Sequence, residues 1–176
     1  MNAIDNRRLA MIGVLTLAAD QFTKWLVLRA LPVEGQEIQV VDGFFRFVHW
    51  GNTGAAWSMF HGNNEMLAIV SLIAFVVLLF SRHHFDAHTK PGQVALGLLF
   101  GGILGNVIDR LHPGRLHVVD FLYFHVIGRS GREHGFPAFN VADSAICVGV
   151  GLLFWLSWRR TEQPAAVSLP PSGPAK

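Results

Sequence analysis

Four long apolar runs divide the chain, at about residues 9–31, 66–81, 94–111 and 138–158. At 1.5 Å of rise per residue they cover roughly 24 to 35 Å, which matches a hydrocarbon core of about 30 Å. The pattern predicts four transmembrane helices. The second run is the shortest and needs its flanks, or local thinning of the bilayer, to cross. The first run is broken by Asp20 and Lys24, and Arg7 and Arg8 precede it, as in a signal peptide. No clean small-x-small site follows Ala18-Ala19, however, and apolar character resumes through residues 25–28, so a retained membrane helix is expected.

Two connections are long, residues 32–65 and 112–137, and by parity they lie on one side. The first carries residues 38–41, then Asp42-Gly43, then residues 44–50, a hairpin signal because both turn residues tolerate positive φ. A small antiparallel sheet against the membrane surface is the expected product. In the second, residues 118–126 are apolar and aromatic, and the polar, glycine-punctuated residues 128–135 suit a mobile lid. Residues 161–176 carry four prolines and are expected to be a disordered tail after a single domain over residues 1–160.

Composition sharpens the class. The chain has 176 residues, 51% hydrophobic and 15% charged, against roughly 25% charged in an ordinary soluble domain. An integral membrane protein follows. A net charge of +2 with scattered Lys and Arg gives nucleic acid no surface to bind. The single cysteine, Cys147, excludes an intrachain disulfide and a Cys-based zinc cluster, and reads as a small packing residue. With both ends cytoplasmic, Lys and Arg divide seven against seven, so charge alone does not orient the chain.

Ionisable groups inside spans cost about 2.5–3.5 kcal/mol each on insertion scales and need a reason. Asp20 and Lys24 lie i,i+4 on one helical face and read as a structural ion pair, with Asp20 also free to touch a substrate. The third run ends in GNVIDR, where Asn106 and Arg110 share a face beside Asp109; Arg110 can snorkel to headgroups or position a substrate oxygen. Asp120 is embedded in VVDF, and FNVAD places Asn140 and Asp143 i,i+3, with Asp143 five residues past the expected start of the fourth helix. Two buried carboxylates brought within about 3 Å share a proton, so one can take a proton from water while the other donates to a carbonyl oxygen. Asn140 and Asn106 are expected to donate amide hydrogen bonds to a peptide there.

Other chemistries fare worse. The nine histidines form no HExxH; His83, His84, His88, His112, His117, His125 and His134 read as surface or interfacial, so no metal is expected. No nucleophile elbow or phosphate-binding glycine loop occurs, and Gly101-Gly102 and Gly149/Gly151 read as close helix packing. The rival reading from the residues alone is a small proton- or ion-coupled transporter relaying through Asp20, Asp120 and Asp143.

The ordered set DQFTK (20–24), NTGAAW (52–57), GNVIDR (105–110), VVDF (118–121) and FNVAD (139–143) resembles lipoprotein signal peptidase, signal peptidase II, aspartic peptidase family A8, across roughly residues 9–160. The resemblance implies a four-helix protein of the bacterial cytoplasmic (inner) membrane with both termini cytoplasmic. It also implies an extracytoplasmic β-cradle, a short helix or lid segment, and an active site near the outer face. It implies an aspartic endopeptidase that cuts prolipoproteins just before a diacylglyceryl-modified lipobox cysteine, and inhibition by globomycin-type cyclic peptides. Asp120 and Asp143 match the catalytic pair. Asp20, Asn52, Gly54, Asn106, Arg110, Asn140 and Ala142 match positions that line or support the site, and Lys24 and Asp109 are expected to support it. Trp57 stands where many members carry Phe. The expected partners are the lipidated substrate and membrane lipids, with no nucleic acid and no cofactor, in a monomer.

Overall fold

The computed structural model describes residues 6–54 and 63–161. The four apolar runs are helices α1 (Arg7–Ala30), α2 (Asn64–Ser81), α3 (Lys90–Leu111) and α4 (Val141–Thr161). Each is long and apolar enough to cross a membrane. A 3-10 turn, Arg82–His84, extends α2 to a 21-residue span and supplies the length its apolar run lacked. α3 starts earlier than its apolar run because Thr89 caps it: the Thr89 hydroxyl accepts from the Gly92 N–H at 3.1 Å, with Pro91 in the first turn.

α3 is the central helix, packed against α1, α2 and α4. Small residues permit the approach. A Cβ on Gly101 would lie 2.6 Å from Thr16 of α1, and one on Gly102 would lie 2.6 Å from the Ala142 carbonyl oxygen of α4. Gly149 meets Leu99 in the same way, but Gly151 faces open space and takes no part in packing. Cys147 is likewise exposed rather than packed, because α4 lays only one face on α3. The outward faces carry Val14 and Phe22 on α1, Ile73 and Phe80 on α2, and Phe154 and Trp158 on α4. Lipid is the solvent such surfaces need.

The sheet is larger than the expected hairpin. Strands β1 (Glu37–Val41), β2 (Phe45–Asn52), β3 (Val118–Ile127) and β4 (Glu133–Gly135) form one antiparallel sheet in sequence order. In the β1–β2 turn only Gly43 takes positive φ, at 67°. The aromatic run at 118–126 is β3, and the polar segment beyond it folds back as β4, with His125 opposite Gly135 and Ile127 opposite Glu133. That pairing makes the segment read as a lid the outer edge of the sheet. Arg46 of β2 pairs with Glu37 of β1 and Glu133 of β4 and lies over the Tyr123 ring. His125 is buried, stacked on Tyr123, not at the surface. Phe121 packs with Val27, Leu31, Phe47, Leu122 and Val141, which seats the sheet on the adjoining ends of α1 and α4. Among the described residues neither long connection holds a helix. Trp57 and the expected disordered tail beyond residue 161 lie outside the described residues.

Candidate active site

Asp120 is the third residue of β3, opposite Trp50 of β2. The chain reaches α4 along the same strand: the Leu122 N–H donates to the Phe139 carbonyl at 2.9 Å, and the Phe139 N–H donates to the Leu122 carbonyl at 3.1 Å. Because the sheet holds Phe139, α4 begins at Val141, and Asp143 falls in its first turn rather than five residues in. Asn140 and Asp143 then close a capping box. The Asp143 N–H donates to Asn140 Oδ1 at 2.9 Å, and the Asn140 N–H donates to Asp143 Oδ2 at 3.3 Å. The i,i+3 spacing seen in FNVAD is this box, and it presents Asp143 beside Asp120.

Three asparagines serve the two carboxylates. Asn52 Nδ2 donates to Asp120 Oδ2 and Asn140 Nδ2 to Asp120 Oδ1, both at 2.8 Å. Asn106 Nδ2 donates to Asp143 Oδ1 at 2.7 Å. Asn106 and Asn140 thus each turn an amide hydrogen onto a carboxylate. Each asparagine also receives a donor on its own oxygen: the Gly54 N–H on Asn52, the Asp143 N–H on Asn140, and Lys24 Nζ on Asn106. A backbone N–H or an ammonium cannot accept, so these contacts fix which end of each amide faces the carboxylates.

Asp120 is 3% exposed, whereas Asp143 is half-buried and the more accessible of the two. Burial pushes the Asp120 carboxyl up to about 7, and the nearby Asp143 charge adds to the shift against the opposing bonds from Asn52 and Asn140. At neutral pH Asp120 is thus close to half-protonated, which suits a pair that shares one proton.

Behind the pair lies an ionic cluster. Lys24 Nζ is 2.8 Å from both Asp20 Oδ2 and Asp109 Oδ2, and all three side chains are buried. The ion pair expected within α1 is therefore a triad that also binds α3. Asp20 Oδ1 accepts the Ala142 N–H at 2.9 Å, which ties α1 to the first turn of α4. Asp109 accepts from Gln21 Nε2 at 3.2 Å, Arg115 Nη2 at 3.5 Å and the Val119 N–H at 3.3 Å, so it supports β3 beside Asp120. Arg110 neither snorkels nor reaches the pair. It donates to the carbonyls of Gly54 (2.9 Å) and Asn52 (3.4 Å) and to Asn64 Oδ1 (3.1 Å), pinning residues 52–54 to the start of α2. Among the described residues no cluster of three His, Cys, Asp or Glu side chains is arranged to hold a metal ion.

With this geometry in hand, the profile of the signal peptidase (SPase) II family matches residues 12–159. The chain belongs to the signal peptidase II family. It is 38% identical to the lipoprotein signal peptidase of Bacillus subtilis, over 82% of this chain and 88% of that one. It is 40% identical to that of Syntrophotalea carbinolica, over 87% of this chain and 92% of that one. Two solved structures of a bacterial membrane enzyme, determined in meso, share the fold. The first has a TM-score of 0.75 at 31% identity, covering 91% of this chain and 94% of that one. The second has a TM-score of 0.68 at 33% identity, covering 85% and 91%.

Within this signal peptidase II fold, Asp20, Lys24, Asn52, Gly54, Asn106, Asp109, Arg110, Asn140 and Ala142 lie beside or behind Asp120 and Asp143. Three contributors escaped notice. Gln21 sits inside DQFTK and was hidden by its charged neighbours. Asn64 and Arg115 stand outside any motif, and only folding shows that Asn64 also donates to the Arg110 carbonyl, at 2.9 Å.

Proposed function

We propose that the protein is an intramembrane aspartic endopeptidase that removes signal peptides from bacterial prolipoproteins, cutting just before the diacylglyceryl-modified lipobox cysteine. The observation that carries this reading is the pair of carboxylates on β3 and α4, each bonded to asparagine donors, with one carboxyl pushed up to about 7.

Asp143, the more accessible member, takes a proton from a water molecule as that water attacks the scissile carbonyl carbon. Asp120 gives its proton to the carbonyl oxygen, and a neutral tetrahedral diol forms. Asp143 then passes its proton to the departing amide nitrogen while a diol hydroxyl returns a proton to Asp120. The C–N bond breaks, the carbonyl re-forms, and the pair again holds one proton. No cofactor enters the scheme. Desolvation under the sheet strengthens each of these contacts.

The pair lies where the sheet meets the end of the helix bundle, which fits a scissile bond near the outer interface with acyl chains left in the bilayer. This placement accords with both termini in the cytoplasm, and the protein is proposed to act as a monomer in the inner membrane. A globomycin-type cyclic peptide would compete for the same cleft.

The test is cleavage of a synthetic lipobox peptide in detergent, with and without diacylglyceryl on its cysteine. Wild type is expected to cut only the lipidated peptide. Separate Asp120→Asn and Asp143→Asn variants, shown to be folded, are expected to lose at least about a thousandfold in turnover. An inactive wild type, or turnover surviving in both variants, would sink the assignment, and proton flux in vesicles would then probe the transporter reading.

A further inference from the structure

Lys24 has three ammonium protons and three acceptors: Asp20 Oδ2 at 2.8 Å, Asp109 Oδ2 at 2.8 Å and Asn106 Oδ1 at 3.0 Å. Charge neutralisation explains the first two contacts and leaves the third over. Asn52 and Asn140 have their amides oriented by backbone N–H groups, which no side-chain change removes. Asn106 is different: its oxygen is held by Lys24, with only a longer contact from Asn140 Nδ2 at 3.3 Å, and that amide has nearer business with Asp120 at 2.8 Å. An asparagine amide is nearly symmetric in shape, so without an obligate donor on its oxygen it can turn over. Turned over, Asn106 would set a carbonyl oxygen against Asp143 where it now sets an N–H.

We infer that Lys24 is a positioning residue for the reaction: by bonding Asn106 Oδ1 it directs the Asn106 amide hydrogen onto Asp143, a role separate from its ion pairs with Asp20 and Asp109. The inference rests on the reading of Asp120 and Asp143 as the reacting pair. Lys24 is buried behind Asn106 and is itself out of a substrate's reach, so its loss acts on turnover and not on substrate affinity.

The test uses the full chain in detergent micelles with the lipidated lipobox peptide. Lys24→Met is combined with Asp109→Asn, so that one of its two carboxylate partners is removed together with the ammonium, and is compared with Asp109→Asn alone. The combination is expected to lower kcat about 10- to 100-fold with KM held within about twofold. In an Asn106→Ala background the same change is expected to lower kcat no further, because the group it orients is gone. A second arm leaves Lys24 in place. Asn106→Asp still accepts from Lys24 but offers Asp143 an oxygen, and it is expected to reproduce the kcat loss in a folded protein.

Losses that multiply in the Asn106→Ala background, a change confined to KM, or wild-type turnover in Asn106→Asp would each overturn the inference. If the Lys24 combination does not fold, the Asn106→Asp arm decides. Asp120→Asn and Asp143→Asn run alongside separate the two claims. Turnover surviving in those variants defeats the reacting pair itself. Their inactivity beside normal Lys24 and Asn106 variants defeats only the positioning role.

Discussion

Replacing Asp120 by asparagine removes the proposed proton donor, and the same change is expected to stabilise the fold at neutral pH. Asp120 is 3% exposed and its carboxyl is raised from an ordinary 3.8 to about 7, mainly by burial. The folded state therefore binds this proton more tightly than the unfolded state does. Stability from this group is fully present below pH 3.8, is lost as pH rises towards 7, and is flat above that. The whole loss is on the order of 4 kcal/mol, of which about 2.3 kcal/mol falls between pH 5 and 7. Asparagine carries no such penalty but has its own. Asn52 and Asn140 both point amide hydrogens at this position, and a second amide must turn its NH2 towards one of them. One opposed donor pair costs about 1–3 kcal/mol. The variant is thus expected to be about 1–3 kcal/mol more stable than wild type at pH 8, and level with it or weaker at pH 5. Reversible unfolding in mixed micelles, followed by tryptophan fluorescence across this range, measures the difference directly, since the titration of other groups largely cancels. A difference that does not change between pH 5 and 8 would refute the reasoning, whatever happens to activity.

The same pH dependence should appear in turnover: kcat falls as pH rises through about 7 and Asp120 surrenders its proton, and a rate steady to pH 9 would contradict its role as the acid. Lys24→Met alone leaves Asp20 buried without its cation and Asp109 with only the longer Arg115 contact at 3.5 Å, and is expected to cost about 3–5 kcal/mol in the unfolding assay; a cost under about 1 kcal/mol would show that the triad does not hold α1 to α3. Gly105→Ala drives a methyl group into Asp20 Oδ2, with Ala142 Cβ 3.4 Å away on the other side, and is expected to lose about 1–3 kcal/mol together with activity. Arg46→Ala breaks the bridges to Glu37 and Glu133 at the exposed sheet edge and is expected to cost under about 1 kcal/mol while raising amide exchange in β4; unchanged exchange at residues 133–135 would mean that backbone pairing alone holds that strand.

The four helices were legible because a bilayer imposes one length and one composition on whatever crosses it, and the runs at 9–31, 66–81, 94–111 and 138–158 meet both. The candidate site residues were legible for the complementary reason: Asp20, Lys24, Asp109, Asp120 and Asp143 are costly in apolar sequence, so each signals a partner. Boundaries were less legible. The start of α4 depends on Phe139 being held by β3, a pairing between residues 17 apart in the chain, and no local pattern encodes it. The strand at the end of residues 128–135 was hidden for the same reason, since a polar hairpin strand and a loose loop look alike until a neighbouring strand is found.

Which acceptor each polar group meets was decided only in three dimensions. Sequence spacing paired Lys24 with Asp20, but the second carboxylate, Asp109, comes from α3, and Asn106 beside it takes the remaining proton. Arg110 had the chemistry to hold a substrate oxygen, yet folding brings the carbonyls of Asn52 and Gly54 within its reach first. Asn106 and Asn140 had several acceptors within their chemistry, and folding sets a carboxylate oxygen against each amide. A sequence states what each side chain can bond to. Where several buried donors and acceptors compete, distance selects among them, and distance is a property of the tertiary structure alone.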